Sequence, residues 1–357
     1  MKQKLIFTNL VGEAVDGLVA ELGNPQIAVV ADTNTAQFVL PLLVNDSKAV
    51  AGATVITVKS GDVNKNIDTL ADLWKKLSAM EATRNTLVIN LGGGVVSDMG
   101  GFAAATFKRG MRCINIPTTL LAAVDASVGG KTGINFNGLK NQIGAFSEPE
   151  AAIISTVFFN TLPQQEILSG YAEMLKHGLL ENSEVLGKLL ASSPVYPLLD
   201  PTRLLPLIEE SVLVKSRIVE NDITEAGIRK ALNLGHTVGH AFESYSYERK
   251  SPIPHGYAVA WGLVVELVLS HMLLGFPSDV LHSFAGYVLA NYGAHQITCD
   301  DYPALIADMR QDKKNLAPDQ INFTLLENVG VPRININATP EQIGAALDIY
   351  RDLMHIA

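Results

Sequence analysis

Four short apolar runs, QIAVVAD (Gln26–Asp32), ATVITV (Ala53–Val58), TLVINL (Thr86–Leu91) and CINIP (Cys113–Pro117), are separated by stretches with helical spacing, TAQFVLPLLV and IDTLADLWKKLSAM among them. Two parallel strands can be joined only by a crossover long enough to hold a helix. Near-continuous apolar runs alternating with helices therefore predict a parallel sheet with helices on both faces. Past Pro163 the period changes. QQEILSGYAEMLKHGLL, IEESVLVKSRIVE, the Leu232 region and YAVAWGLVVELVLSHMLLG carry helical rather than strand periodicity. One hairpin pattern, INFTLLENVGVPRININ, and a last helix opened by ATPEQ close the chain. The expected fold class is α/β plus all-α, with a nucleotide-type parallel-sheet domain over residues 1–160 and a mostly helical domain over 161–357.

A chain of 357 residues, 48% of them hydrophobic, can bury the cores of two such domains. Its net charge of -9 and the absence of a basic block argue against nucleic acid as a partner. An acidic chain can still bind an anion where its positive residues converge on one cleft. The two cysteines, Cys113 and Cys299, lack metal-site spacing, so neither a disulfide framework nor a thiolate cluster is expected. No apolar h-region opens the sequence, and no apolar run reads as long enough to span a bilayer. These features point to the cytoplasm and to no membrane partner.

LGGGVVSDMGGF (Leu91–Phe102) follows a predicted strand and opens a predicted helix. Glycines there let a phosphate approach the backbone, and free N–H groups at a helix start stabilise negative charge. Its glycines are contiguous, so it is not the GxGxxG fingerprint, and a tight packing turn is the plainer alternative. A second cluster, DASVGGKTGINFNGLKNQIGAF (Asp125–Phe146), sets Gly129 and Gly130 beside Lys131, with Lys140 and Asn141 beyond. A lysine against a glycine turn suits an anionic ligand, while a solvated loop would need no ligand.

Arg229, Asn233, His236 and His240 recur at helical spacing, which would line them along one face of a single buried helix. A buried polar row must be paired or liganded. The pattern alone leaves a metal site, hydrogen-bonded core histidines and another catalytic role open. Glu173 and Lys176 share a helical face in GYAEMLKHG, and His255 precedes an apolar helix in SPIPHGYAVAWG. One carboxylate and two histidines from three segments would leave a Zn²⁺ position open to substrate. Spacing does not choose between His236 and His240.

LGGGVVSDMGGFAAATFKRG, IPTTLLAAVDASVGGKTGIN, LKNQIGAF, GYAEMLKHG and RKALNLGHTVGHAFE together resemble the dehydroquinate synthase family, and the resemblance runs from Asp32 to the lysines at 313–314. It implies a Rossmann-like NAD-binding domain and a helical metal-binding domain, usually in a homodimer. It implies Glu173, His236 and His255 as ligands of Zn²⁺ or Co²⁺, with His240 on the substrate side. Substrate positions would be Arg109, Asp125, Lys131, Lys140, Asn141, Lys176, Lys215, Arg229, Asn233 and His240, with Lys313 or Lys314. Catalytic roles would fall to Lys131, Lys176, Asn233 and His240. NAD would meet Asp32, Asn34, Asp62, Lys65, Gly93, Gly94, Val95, Asp98, Thr118, Thr119, Leu121, Thr161, Leu162 and Gln165, with Asp125 and Lys140 also on its side.

The implied reaction converts 3-deoxy-D-arabino-heptulosonate 7-phosphate to 3-dehydroquinate and phosphate. It passes through transient oxidation at C5, phosphate elimination, reduction and an intramolecular aldol closure, with no net redox change. The sequence departs from the family in three places: HGYAVAWG has Tyr257 where glutamate is usual, Asp62 stands for a glutamate, and SDMGG replaces GDLxG. None of these removes an implied ligand. A sibling sugar-phosphate cyclase, such as 2-deoxy-scyllo-inosose synthase or an epi-valiolone synthase, is the nearest alternative. A polyol dehydrogenase would accumulate NADH, and a non-catalytic nucleotide-binding protein would lack much of this polar set.

Overall fold

The apolar runs become the strands of a six-stranded sheet in the order β1-β8-β5-β4-β2-β3, every neighbouring pair parallel. The computed structural model describes residues 3–195, 201–310 and 321–356. It divides into two compact units, Met1–Pro163 with Asp200–Val212, and Gln164–Leu199 with Leu213–Ala357. Lys313 and Lys314 lie outside the described residues.

The first unit runs β1 (Lys4–Phe7), α1 (Val11–Glu21), β2 (Ile27–Asp32), α2 (Thr33–Phe38), α3 (Leu40–Asp46), α4 (Lys48–Ala51), β3 (Thr54–Val58), α5 (Ile67–Ala79), β4 (Leu87–Gly92), α6 (Gly94–Thr106), β5 (Arg112–Pro117), β6 (Lys131–Phe136), β7 (Leu139–Phe146) and β8 (Ala151–Ile154). Val29, Val30, Leu87, Ile89 and Ile114 are wholly buried, as strands covered on both faces require.

The structure corrects or sharpens the sequence reading in three places here. TAQFVLPLLV is two helices rather than one, because Pro41 falls in the first turn of α3 and cannot donate into a continuing ladder. β1 and β8, too short to stand out in the sequence, complete the sheet at one edge. Residues 131–146 of the second glycine cluster form an antiparallel hairpin, β6 on β7, which excludes the solvated loop weighed as the alternative. Its strands approach closely: a β-carbon on Gly144 would lie 2.1 Å from the Thr132 carbonyl oxygen.

The second unit holds α7 (Gln164–Glu181), α8 (Ser183–Leu190), α10 (His236–Glu248), α11 (His255–Leu274), α12 (Ser278–Tyr292), α13 (Tyr302–Arg310) and α14 (Pro340–Leu353), with the hairpin β9 (Ile321–Asn328) and β10 (Val331–Ala338) packed on α11 through β9. The remaining helix, α9 (Pro201–Asn221), supplies residues to both units. Thr339 and Gln342 cap α14 reciprocally, as the ATPEQ signal predicts.

α11 overturns the expectation that no apolar run is long enough to cross a membrane, since its 20 residues pass that test by length and composition. It is a core helix here, buried without a break from Ala258 to Ser270. Near its centre stands one charged residue, Glu266.

Candidate active site

The strand order of the first unit sets where a ligand can bind. The chain moves outward from β2 to β3, then returns to place β4 on the other side of β2. In open parallel sheets such a reversal opens a crevice beyond the carboxyl ends of the strands. Asp32 ends β2, Asp62 and Lys65 follow β3, Gly93 to Val95 follow β4, and Thr118, Thr119 and Leu121 follow β5. The sequence-predicted NAD residues of these strands are thus gathered at one end of the sheet.

Gly93 is the N-cap of α6 and offers no side-chain hydrogen bond to the first turn, so those N–H groups remain available to an anion. A β-carbon at Gly93 would come within 3.1 Å of the Thr119 methyl, filling the approach. A dinucleotide's phosphates fit this uncapped, side-chain-free turn. Asp32 caps α2 through Oδ1, which accepts from the Asn34 and Thr35 amides at 2.9 and 2.8 Å. Thr161 and Leu162 end a 3₁₀ turn of the first unit, whereas Gln165 lies in the first turn of α7 in the second.

Lys65, 4% exposed, is the hub of a polar network within the first unit. Its Nζ donates to Asp98 and to Asn141 Oδ1. The Asn141 amide donates to Asn135 Oδ1 at 2.9 Å, and Asn135 Nδ2 donates to Asp62 Oδ2 at 2.9 Å. Asp98, Lys65, Asn141 and Asp62, all predicted for cofactor or substrate, are thus joined in one network, in which Asn135, absent from the sequence prediction, links Asn141 to Asp62. Lys131, Lys140 and Arg109 are exposed, while Asp125 is half-buried. Arg109 sits in a strained turn, with Lys108, Arg109 and Gly110 all at positive φ.

In the second unit Glu173, His236 and His255 converge. Glu173 Oε1 lies 3.3 Å from His236 Nε2 and 3.8 Å from His255 Nε2. Ligands about 2.0–2.1 Å from a tetrahedral zinc stand about 3.3 Å apart, so these donors fit one ion. Each histidine has its other nitrogen engaged. His236 Nδ1 lies 3.1 Å from the Leu234 carbonyl oxygen, and His255 Nδ1 lies 3.1 Å from Glu243 Oε2. Donation from Nδ1 leaves Nε2 with the lone pair a metal needs.

Glu173 is fully buried, and neither carboxylate oxygen has a hydrogen bond, though Lys176 forms an ion pair with it. Lys176 meets the charge at Oε2, so it is Oε1, turned to the two Nε2 atoms, that is placed to take a metal. Burial would raise its pKa, but Lys176, then His236 and His255, hold it well below the carboxylate range. Burial lowers His236 to about 4 against the opposing pull of Glu173, so the ring is a neutral imidazole at pH 7. The ligand set is suited to Zn²⁺ or Co²⁺.

His240 joins the same cluster, since one nitrogen from each of His236, His240 and His255 lies within 4.8 Å of the others. Unlike the other two, which are half-buried, it is exposed.

Local backbone geometry makes this convergence possible. Gly256 donates its N–H to Ser169 Oγ at 3.0 Å, seating the start of α11 on α7 one turn before Glu173. Gly235, at φ +79°, turns the chain into α10, and a β-carbon there would strike Leu263 at 2.6 Å. That turn corrects the expected single stripe. Arg229 and Asn233 lie on a separate 3₁₀ segment, Ile228–Asn233, and only His236 and His240 share α10.

The 3₁₀ segment is anchored to the preceding turn. The Arg229 amide and guanidinium donate to Asp222 Oδ2 and the Ile223 carbonyl at 3.1 and 2.6 Å, and Asn233 Nδ2 donates to Glu225 Oε1 at 3.0 Å. Lys176 and Lys215 are buried. Tyr257 packs edge-on against Trp261 and Tyr292, at centroid distances of 5.7 and 5.2 Å. Its role in the fold is thus aromatic packing beneath the start of α11.

Comparison with known proteins agrees with this arrangement. The sequence model for the 3-dehydroquinate synthase N-terminal region matches residues 55–169, and that for the C-terminal region matches residues 170–315. The 3-dehydroquinate synthase of Parabacteroides distasonis is 48% identical over 351 residues, covering 98% of both chains. Among solved structures, a 2-deoxy-scyllo-inosose synthase complexed with carbaglucose-6-phosphate, NAD+ and Co2+ has a TM-score of 0.83 at 23% identity, covering 96% of this chain and 95% of that one. A 2-epi-5-epi-valiolone synthase from Streptomyces hygroscopicus subsp. jinggangensis, with NAD+ and Zn2+ bound, has the same TM-score and identity, covering 99% and 97%. These two likenesses establish the shared fold. With both sequence models matched end to end, the chain belongs to the 3-dehydroquinate synthase family.

Proposed function

We propose that this chain converts 3-deoxy-D-arabino-heptulosonate 7-phosphate to 3-dehydroquinate and phosphate. It would act as a carbon–oxygen lyase of the shikimate route to chorismate and aromatic amino acids, using NAD⁺ and Zn²⁺ or Co²⁺. The single observation that carries this reading is the buried Glu173 carboxylate, which pairs with Lys176 and faces the Nε2 atoms of His236 and His255. When bound, the metal polarises substrate oxygens and NAD⁺ takes up and returns the hydride.

The chain's own residues do the rest. Asp32, Asp62, Lys65, Asp98 and the Gly93 turn orient the dinucleotide at the ends of the strands. In the first unit Lys131, Lys140, Asn141 and Arg109 offer positive charge and amide donors to the substrate's anionic groups. In the second unit Lys176, Lys215, Arg229 and Asn233 offer cations and an amide to the substrate's polar groups, and the exposed His240 stands ready to hold or move a proton. Positive side chains of this kind let a chain of net charge -9 bind a sugar acid phosphate, which carries two anionic groups.

We also assign the chain to the cytoplasm, as a homodimer. Support for a partner copy comes from the hairpin, where Phe136, Leu139 and Ile143, and Phe146 further along β7, are each exposed. Sedimentation at two concentrations tests the dimer.

The activity test is phosphate release from the heptulosonate phosphate by metal-loaded protein with catalytic NAD⁺. The expected outcome is chelator-sensitive release with dehydroquinate formed and no NADH accumulating. Net NADH would assign a dehydrogenase instead. Release from glucose 6-phosphate or sedoheptulose 7-phosphate, but not from the heptulosonate, would assign a sibling cyclase.

A further inference from the structure

α10 and α11 each begin with one of the histidines that face Glu173, and neither helix is capped by its own N-cap residue. Each helix is instead tied by a glutamate belonging to the other. Glu266 of α11 accepts the Gly235 and Val238 amides at 2.6 and 3.1 Å, closing the first turn of α10 around His236. Glu243 of α10 reaches the start of α11, its Oε2 lying 3.1 Å from His255 Nδ1. Both carboxylates are buried, at 0% and 6% exposure.

The two helices cross backbone to backbone. A β-carbon on Gly262 would fall 2.2 Å from the Gly235 carbonyl oxygen and 2.7 Å from the Gly239 nitrogen. Glycine contact fixes how near the helices lie but has no side chains to resist sliding along their length. Sliding would change the separation of the two Nε2 atoms directly.

We propose that Glu243 and Glu266 are reciprocal positioning residues, each setting one metal-facing histidine from the neighbouring helix. This rests on the metal reading given above. A buried carboxylate is costly unless its charge is used. Glu243 uses it to hold the His255 proton on Nδ1 and make Nε2 a stronger donor. Glu266 uses both oxygens on two amides at once, which a glutamine side chain, with one acceptor, cannot do.

The test is titration of chelator-treated, full-length protein with Co²⁺, read as visible absorption and as affinity by competition with a chromogenic chelator. Glu243→Ala is expected to weaken binding about 10- to 100-fold and shift the cobalt bands. Glu243→Gln keeps an acceptor without the charge and should fall between Ala and the unmodified protein. Glu266→Gln should weaken binding too. Tyr245→Phe, also on α10 but bonded to Asp301, should lower the melting temperature and leave affinity and bands alone.

Unmodified affinity and bands in both Glu243 variants would overturn the proposal. So would an equal loss of affinity in Tyr245→Phe, because the effect would then be general loosening. Unchanged affinity in Glu266→Gln would remove that half of the pair. If Glu243→Ala does not fold, Glu243→Gln decides the matter alone. His255→Ala separates the two levels of the argument: if it too keeps unmodified affinity, the metal reading itself has failed.

Discussion

The Ser169 carbonyl oxygen occupies the place of any side chain on residue 256: a β-carbon on Gly256 would stand 2.0 Å from it. Because this contact seats His255 near Glu173, packing and ligand geometry depend on one missing methyl group. Gly256→Ala should cost about 1–3 kcal/mol by overpacking. Its melting temperature should fall, and the rise normally produced by Zn²⁺ should shrink. A variant as stable and as responsive to metal as the unmodified protein would contradict this.

Metal removal should be visible as stability. Binding to the folded state alone adds about 2.7 kcal/mol when free metal exceeds its Kd by 100-fold. Calorimetry of chelator-treated protein should therefore show the melting temperature rising as Zn²⁺ is added. His236→Ala and Glu173→Gln should abolish the rise. Glu173→Gln should also lower the starting stability by about 3–5 kcal/mol, because Lys176 is left buried without its partner.

Lys65 holds Asp98 and Asn141 together. Lys65→Met keeps the stem and removes the ammonium group. The expectation is about tenfold weaker NAD⁺ binding, or about 1.4 kcal/mol, by isothermal titration, together with a raised KM for the sugar phosphate. Asn135→Ala should raise KM with a smaller change in NAD⁺ affinity. Equal NAD⁺ affinity in Lys65→Met would remove the lysine from the cofactor site.

A distinct pH effect is expected at Asp301. Burial would raise its carboxyl, but bonds from Tyr245 and Thr298 and the Arg249 charge hold it below the ordinary 3.8. Since the folded-state value is the lower one, its stabilisation is present above 3.8 and is lost as the pH falls through the folded value. Asp301→Asn should cost about 1–3 kcal/mol at pH 7. Urea midpoints of the two proteins should converge in acid, and a constant gap down to the lowest folded pH would refute the assignment.

The sheet was legible because its central strands are apolar on both faces, whereas β1 and β8 have only four residues each and carry no distinctive period. The hairpin at 131–146 was hidden because its glycines, which permit close strand approach, read equally well as a loop. Glu173, His236 and His255 could be gathered from the sequence by family likeness, but the spacing of Arg229 through His240 suggested one helix. Gly235 breaks that helix, and its left-handed backbone has no periodic signature.

Glu266 carries a signal in the sequence itself: a lone charge in an apolar helix must meet partners somewhere. Glu243 gave less warning, because only the fold reveals that its histidine lies on the next helix.

Both metal-facing histidines are the first residues of their helices. The positive ends of two peptide-dipole arrays therefore point toward the place meant for a cation. That field opposes the ion, which gives buried Glu173, Glu243 and Glu266 a second purpose as counter-charge. It also favours whatever negative charge approaches from outside. A site made this way is a poor trap for bare metal and a good receptor for a metal together with an anionic oxygen, so ion and substrate should bind more tightly in each other's company.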